Sequence, residues 1–235
     1  EYPYEFKFLE QGTDDKVLAD SITGYARYQA QVAERAKGIP GYKLVSSENQ
    51  SINIAIEDPA NVAEKNVRIF YYQENEVTIN YVVPDAYKSM GAVNPGSETI
   101  KVVNGTPNGS VPGANPGYKF VGWFTDEACT QPVDASWVAD NKLVPGKENI
   151  STTENPVEGY KAATYYAKFE ADVVDLTIKK TGSQNIDENQ SFIFHVSGNI
   201  EANDASSKAK TIDMDVIVYG NGNTTVKSLP AGTYL

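Results

Sequence analysis

The stretch GYKFVGWF, residues 117–124, places four aromatic residues within eight positions. Two readings compete for it. As an exposed stack, Tyr118, Trp123 and Phe124 would form a platform for a sugar. As a strand of a small domain, the rings would form its core, because a small domain has little interior and each large aromatic fills much of it. This second reading puts Phe120, Gly122 and Phe124 on one face and Tyr118, Val121 or Trp123 against the core. We therefore read the stretch as a strand that makes the domain and does not make the site.

Neighbouring segments fit that reading. Residues 77–83 alternate as a strand and open the unit, and residues 163–169 close it with another. A Gly- and Pro-rich loop over residues 95–117 carries one strand, residues 98–103. Asp134 is placed to cap a single helical turn over residues 134–139.

Upstream, residues 4–9 read as a strand and residues 11–15 as a turn. Ala26, Tyr28, Ala30 and Val32 alternate with Arg27, Gln29 and Gln31, which predicts a second strand with one wet face. Residues 32–37 suit a short helix that Gly38 stops. Residues 41–45, 52–56 and 67–72 complete this unit as strands. Downstream, Leu176, Ile178 and Lys180 share one face of a strand, and Phe192, Phe194 and Val196 share a face of the next. Val216, Ile217 and Val218 mark a third strand, and residues 228–234 begin a fourth.

The expected fold is mainly β with minor α, in three tandem small domains. Residues 1–74 and 75–171 read as β-grasp-like (ubiquitin-like) domains, and residues 172–235 as a β-sandwich whose last strand is cut. Short linkers at residues 73–76 and 170–175 predict a stiff rod of three beads. Both ends read as cut from a longer protein.

Composition narrows the function classes. A net charge of −11 argues against nucleic acid and against an anionic membrane surface, since phosphate binding needs a basic face. One cysteine, Cys129, and one histidine, His195, exclude an internal disulfide and a zinc site of the usual Cys/His kinds. The longest apolar run is far short of a membrane span. The sequence contains no Gly-x-Ser-x-Gly, phosphate loop, His-Glu-x-x-His or dinucleotide fingerprint. Gly-Tyr-Lys recurs at residues 41–43, 117–119 and 159–161, a hint that the first two units share a plan.

Residues 117–133, GYKFVGWFTDEACTQPV, with the closing YYAKF of residues 165–169, resemble the Listeria–Bacteroides repeat, also called the internalin B-repeat. That resemblance covers about residues 77–170 and implies a β-grasp fold in a bacterial surface protein. The long insertion over residues 139–159 departs from its pattern. YEFKF at residues 4–8, IPGYKLV at 39–45 and VRIFYY at 67–72 are similar to the mucin-binding-protein (MucBP) repeat. LTIKKT at residues 176–181, FIF at 192–194 and LPAGTY at 229–234 look like the transthyretin-like B-type (Cna B-type) repeats of Gram-positive adhesins and pilins.

These resemblances imply a non-enzymatic segment of a cell-wall-anchored surface adhesin. It would lie outside the cell, anchored through a part of the parent protein that lies beyond this sequence. A monomer without cofactor, metal or direct membrane contact is expected, with mucin, a host glycan or a host surface protein as partner. A glycan- or mucin-binding module in the first domain is the alternative, with Tyr25, Arg27, Tyr28 and Gln29 as candidate contacts. An accessory module of a secreted carbohydrate-active enzyme is another. Lys180 is a candidate for an intramolecular isopeptide bond, a role implied only by the B-type resemblance; a snorkelling edge lysine, or a slip that turns Lys179 inward, is the competing reading. His195 reads as a surface histidine and Cys129 as a small packing residue. The acidic clusters Asp213-Met-Asp215 and Ile186-Asp-Glu-Asn189 lack the glycine spacing of a calcium loop.

Overall fold

The computed structural model describes residues 1–12, 14, 16–56, 65–151, 156–182, 185–200 and 210–230. The protein is mainly β and multi-domain, as the alternating patterns predict. Among the described residues there is no α-helix, only the 3-10 turns Asp85–Tyr87 and Ala135–Trp137. The chain divides into two compact units. The first comprises Glu1–Thr78, Thr99–Thr106 and Gly146–Ala162; the second comprises Ile79–Glu98, Pro107–Pro145 and Ala163–Leu235. The sequence boundary expected near residue 171 falls inside the second unit, and Gly146–Ala162, which includes most of the insertion, belongs to the first.

In the first unit, β1 (Tyr2–Glu10), β2 (Val17–Ala26), β3 (Gln31–Arg35), β4 (Tyr42–Leu44), β5 (Asn49–Asn53) and β6 (Val67–Glu74) follow one another. A mixed sheet runs β2-β1-β6-β4, with β1 and β6 parallel at its centre. Alternation in β1 turns Phe6 and Phe8 inward, where they stack on Phe70 at 6.2 and 5.3 Å between centroids. Ile52 and Ile54 come from the β3–β5 segment and complete a core with Tyr72. Asn66 is fully buried, and its amide is satisfied: Oδ1 accepts from Ala55 N at 2.8 Å, and Nδ2 donates to Pro3 O and Ala55 O.

Two expectations fail in this unit. Residues 32–37 are not helical: β3 pairs antiparallel with β5, from Gln31 opposite Asn53 to Arg35 opposite Asn49. Ala, Glu, Arg and Lys favour helix, but Val32 and Ala36 pack against the core from this extended ribbon, and that packing outweighs local propensity. Nor is there a strand over residues 26–32. β2 ends at Ala26 and residues 27–30 turn, with Gln29 at φ 65° and Ala30 N bonded to Arg27 O at 3.0 Å.

β7 (Glu76–Val82) follows β6 after one residue, then β8 (Gly91–Asn94), β9 (Ser97–Lys101), β10 (Val111–Ala114) and β11 (Tyr118–Phe124). Two-residue ribbons follow: β12 (Val138–Ala139) with β13 (Lys142–Leu143), and β14 (Glu148–Asn149) with β15 (Glu158–Gly159). β16 (Ala163–Ala171) completes a sheet of order β11-β16-β7-β9 in which β7 and β16 are parallel. Asp134 caps the second 3-10 turn, accepting from Ser136 N, as its sequence position predicts. The loop after Pro95 holds β10, paired with β8, which a Pro- and Gly-containing sequence concealed.

The rest of the second unit is two antiparallel ribbons. β17 (Val173–Lys179) pairs with β20 (Asn223–Pro230), and β18 (Ser191–Ile200) with β19 (Lys210–Tyr219). Val196, Val216, Val218 and Leu229 are buried. The fourth strand begins at Asn223, ahead of the expected residue 228, and residues 231–234 of that expectation lie outside the described residues.

Candidate functional site

β11 answers the question of its aromatics. The pairing with β16 slips between Phe120 and Gly122, so Val121 is the extra residue of a bulge and stands 43% exposed. The bulge breaks the strand's two-residue period. Phe120 and Trp123, three apart, therefore meet edge to face at 5.8 Å. Trp123 is buried, edge-on to Tyr81 at 5.8 Å, and its Nε1 donates to Asn141 O at 2.8 Å. Phe169 lies against Phe120, and Tyr165 against Tyr81 and Trp137. The rings face one another and are the core of this sheet. Tyr81 Oη donates to Glu98 at 2.6 Å, and burial followed by that bond holds its phenol far above the ordinary range. Glu98 also accepts from the Asn108 and Gly109 amides, which ties the loop to β7.

The candidate contacts of the first unit sit at the end of β2 and in the turn that follows. Tyr25 is 72% exposed and pairs across the strand with Pro3; Tyr28 is 52% exposed; Arg27 and Gln29 are exposed beside them. Parity explains Tyr25, because Gly24 and Ala26 take the inward phase opposite Tyr4 and Tyr2. Three backbone bonds hold the turn: Ala30 N to Arg27 O, Gln29 N to Ile54 O at 2.8 Å, and Ile54 N to Ala30 O at 2.9 Å. Among the described residues Arg27 makes no ion pair and no side-chain hydrogen bond, whereas Arg35 pairs with Glu48 and Arg68 donates to Val67 O.

Lys180 follows β17 on the half-buried side with Leu176 and Ile178, and Lys179 is exposed. Its ammonium lies 4.1 Å from the centroid of the Phe192 ring, a cation–π contact, and its backbone N donates to Gly222 O. His195 is exposed between two carboxylates, with Nδ1 3.0 Å from Asp215 and Nε2 3.5 Å from Asp213. The Asp215 hydrogen bond, then the Asp213 charge, raise its pKa above the usual histidine value. Cys129 is buried at φ 53°, and burial pushes its thiol up, away from reactivity. Among the described residues no group of three or more His, Cys, Asp or Glu is arranged to hold a metal ion. No helix among them is long and apolar enough to cross a membrane.

One polar cluster escaped the sequence reading. Glu74 is 6% exposed and accepts from Val103 N at 2.6 Å, Asn104 N at 2.7 Å and Asn104 Nδ2 at 2.8 Å. Burial raises its pKa, but the bonds from Asn104 and Val103 outweigh burial and hold the carboxyl below its ordinary range. Its parity was the available signal, since Glu74 is in phase with the inward Phe70 and Tyr72. An open cleft of 540 Å³ lies alongside, lined by Gly41, Lys43, Glu74, Glu76, Lys101 and Ile150. Lys101 and Glu76 pair across it at 2.9 Å, and neither a nucleophile with its base nor converging free carboxylates are present there.

No protein-family model matches the chain, and no curated protein matches it.

Proposed function

We propose that this chain is a non-enzymatic spacer, a segment of the stalk of a bacterial cell-wall-anchored surface protein. The observation that carries the reading is the direction of the first and last strands in each mixed sheet. β1 and β6 run parallel as neighbours, from Glu5 opposite Val67 to Glu10 opposite Tyr72. β7 and β16 do the same, from Ala163 opposite Ile79 to Tyr166 opposite Val82. A chain that enters and leaves on adjacent parallel strands does so at opposite ends of the sheet. Tension on it loads the backbone bonds between those strands in shear, where they resist together; an antiparallel pair pulled from one end unzips bond by bond. Strand joins that leave only Asn75 and only Asp172 between strands also suit a segment with little slack. The resemblances to MucBP, Listeria–Bacteroides and B-type repeats support a segment that lies outside the cell.

Reach is the property to test. Fused between a cell-wall anchor and an epitope tag, the chain is expected to raise antibody access to the tag above that of an anchor–tag fusion lacking it. Equal access would count against a spacer.

A further inference from the structure

We propose that the open edge of β18 docks a second copy of this chain, by antiparallel pairing of the two β18 strands about a twofold axis. The inference is independent of the spacer reading, and it replaces the monomer expected from the sequence. β18 and β19 form a two-stranded sheet, so one edge of β18 has no partner strand among the described residues. Edges of this kind are normally blunted by charge, proline or a bulge, because their unpaired N–H and C=O groups invite another strand. β18 has none of these devices. Of the described strands longer than five residues, it alone contains no Lys, Arg, Asp, Glu or Pro. Its ladder with β19 runs from Ser191 opposite Tyr219 to Ile200 opposite Lys210 without a slip, whereas the β1–β2, β11–β16 and β17–β20 ladders each slip.

The ladder also tells which groups the edge offers. Gly220 N donates to Gln190 O at 2.9 Å, one step before the Ser191–Tyr219 pair, so the bonds to β19 fall on the even-numbered residues of β18. Ile217 O, opposite Ile193, accordingly turns away from β18 and accepts from Thr224 Oγ1 at 2.6 Å. The N–H and C=O groups of Ser191, Ile193, His195 and Ser197 therefore point to the open edge.

The residues select the occupant. An axis at Phe194 sets Phe194 opposite itself, Phe192 opposite Val196 of the second copy, and Ile193 opposite His195 of the second copy. Inward side chains then continue one face of the joined sheet and the exposed Ile193 and His195 the other. Moving the axis by one residue leaves either Phe192 opposite Gly198 or Val196 opposite Gln190. Charge agrees with a like partner. Two copies at −11 repel, and the seam avoids that repulsion: the carboxylates Asp213 and Asp215 stand one strand back on β19, both against His195. A basic peptide would find no carboxylate on β18 itself.

The test is sedimentation equilibrium of the full chain over a concentration series, with hydrogen–deuterium exchange on the same samples. A reversible dimer is expected, and it stops at two because the twofold seam uses up the edge. Ile193→Lys places a charge at the seam and weakens the dimer at least about tenfold; Ile217→Lys, on the same exposed face but one strand back, leaves it within about twofold. The amides of Ile193 and His195 exchange more slowly as concentration rises. Added salt strengthens the dimer by screening the net charges. The proposal is overturned by a monomer at every concentration up to about 1 mM, by open-ended assembly, or by a dimer that salt weakens. A dimer that Ile217→Lys damages as much as Ile193→Lys, or whose Ile193 and His195 amides exchange as in the monomer, is a stacking of faces and overturns it too. Both substituted side chains are exposed, and an unchanged circular dichroism spectrum separates a lost seam from a lost fold.

Discussion

Truncating Trp123 removes the ring that joins Phe120 to Tyr81 and the donor bonded to Asn141 O. Trp123→Ala is therefore expected to cost about 3–5 kcal/mol, read from urea unfolding. Unchanged stability would mean that the ring is not part of the core. Glu74 sets an acid limit. Its folded pKa lies below the unfolded value, so its contribution is present above the ordinary carboxylate range and is lost as pH falls through the lowered value. Glu74→Gln should cost about 1–3 kcal/mol near neutral pH and flatten that part of the acid dependence in a pH series of unfolding curves. His195 runs the other way. Its pKa is raised, so the stabilisation is present below the unfolded histidine value and is lost as pH rises through the raised one. An NMR titration should find the raised value, and Asp215→Asn should lower it. Part of this was legible by parity: Lys180 falls on the half-buried side with Leu176 and Ile178, and His195 on the wet face. The partners of Glu74 were not, because Val103 and Asn104 are some 30 residues away in sequence and meet it only in the fold.

Elements were read well where one face is buried and period two is unbroken, as in β1, β7 and β16, whose inward residues Phe8, Tyr81 and Phe169 are all buried. They were misread where a single residue changes the phase. Gln29 turns the chain at positive φ inside what reads as continuous alternation, and Val121 adds a residue inside β11. The bulge supplies its own check. Deleting Val121 leaves Phe120 and Trp123 two apart, in one phase of a regular strand and opposite the same residues of β16, so both stay on the core face; the shortened protein is expected to keep its cooperative unfolding transition. Lost cooperativity would show that the packing needs the bulge itself and not only the shared phase of the two rings. Gly109 is a second marker. At φ 77°, a Cβ there would fall 2.1 Å from Leu143 O and 2.8 Å from Val144 Cγ2. Gly109→Ala should cost on the order of 1–3 kcal/mol or more in the same unfolding assay, since backbone cannot move aside as a flexible side chain can.

At the scale of the whole molecule, the mainly β class followed from patterning and from the scarcity of long helical periodicity. The division into units did not. Residues 99–106 and 146–162 join the first unit through bonds such as Val102 N to Asn75 O and Tyr160 N to Val102 O. Pairings of that range leave no local trace in a single sequence. The central claim is mechanical: the parallel pair β1–β6 holds when the chain is stretched. The measurement that tests it most directly is single-molecule force spectroscopy on the same protein in two pulling geometries. One attaches at residues 1 and 75 and loads β1–β6 in shear; the other attaches at residues 1 and 27 and unzips the antiparallel β1–β2 pair, where Tyr2 faces Ala26. A clearly higher unfolding force in the first geometry is the predicted result. Equal forces, or a lower force across residues 1 and 75, would contradict the account of this chain as a spacer built to bear tension.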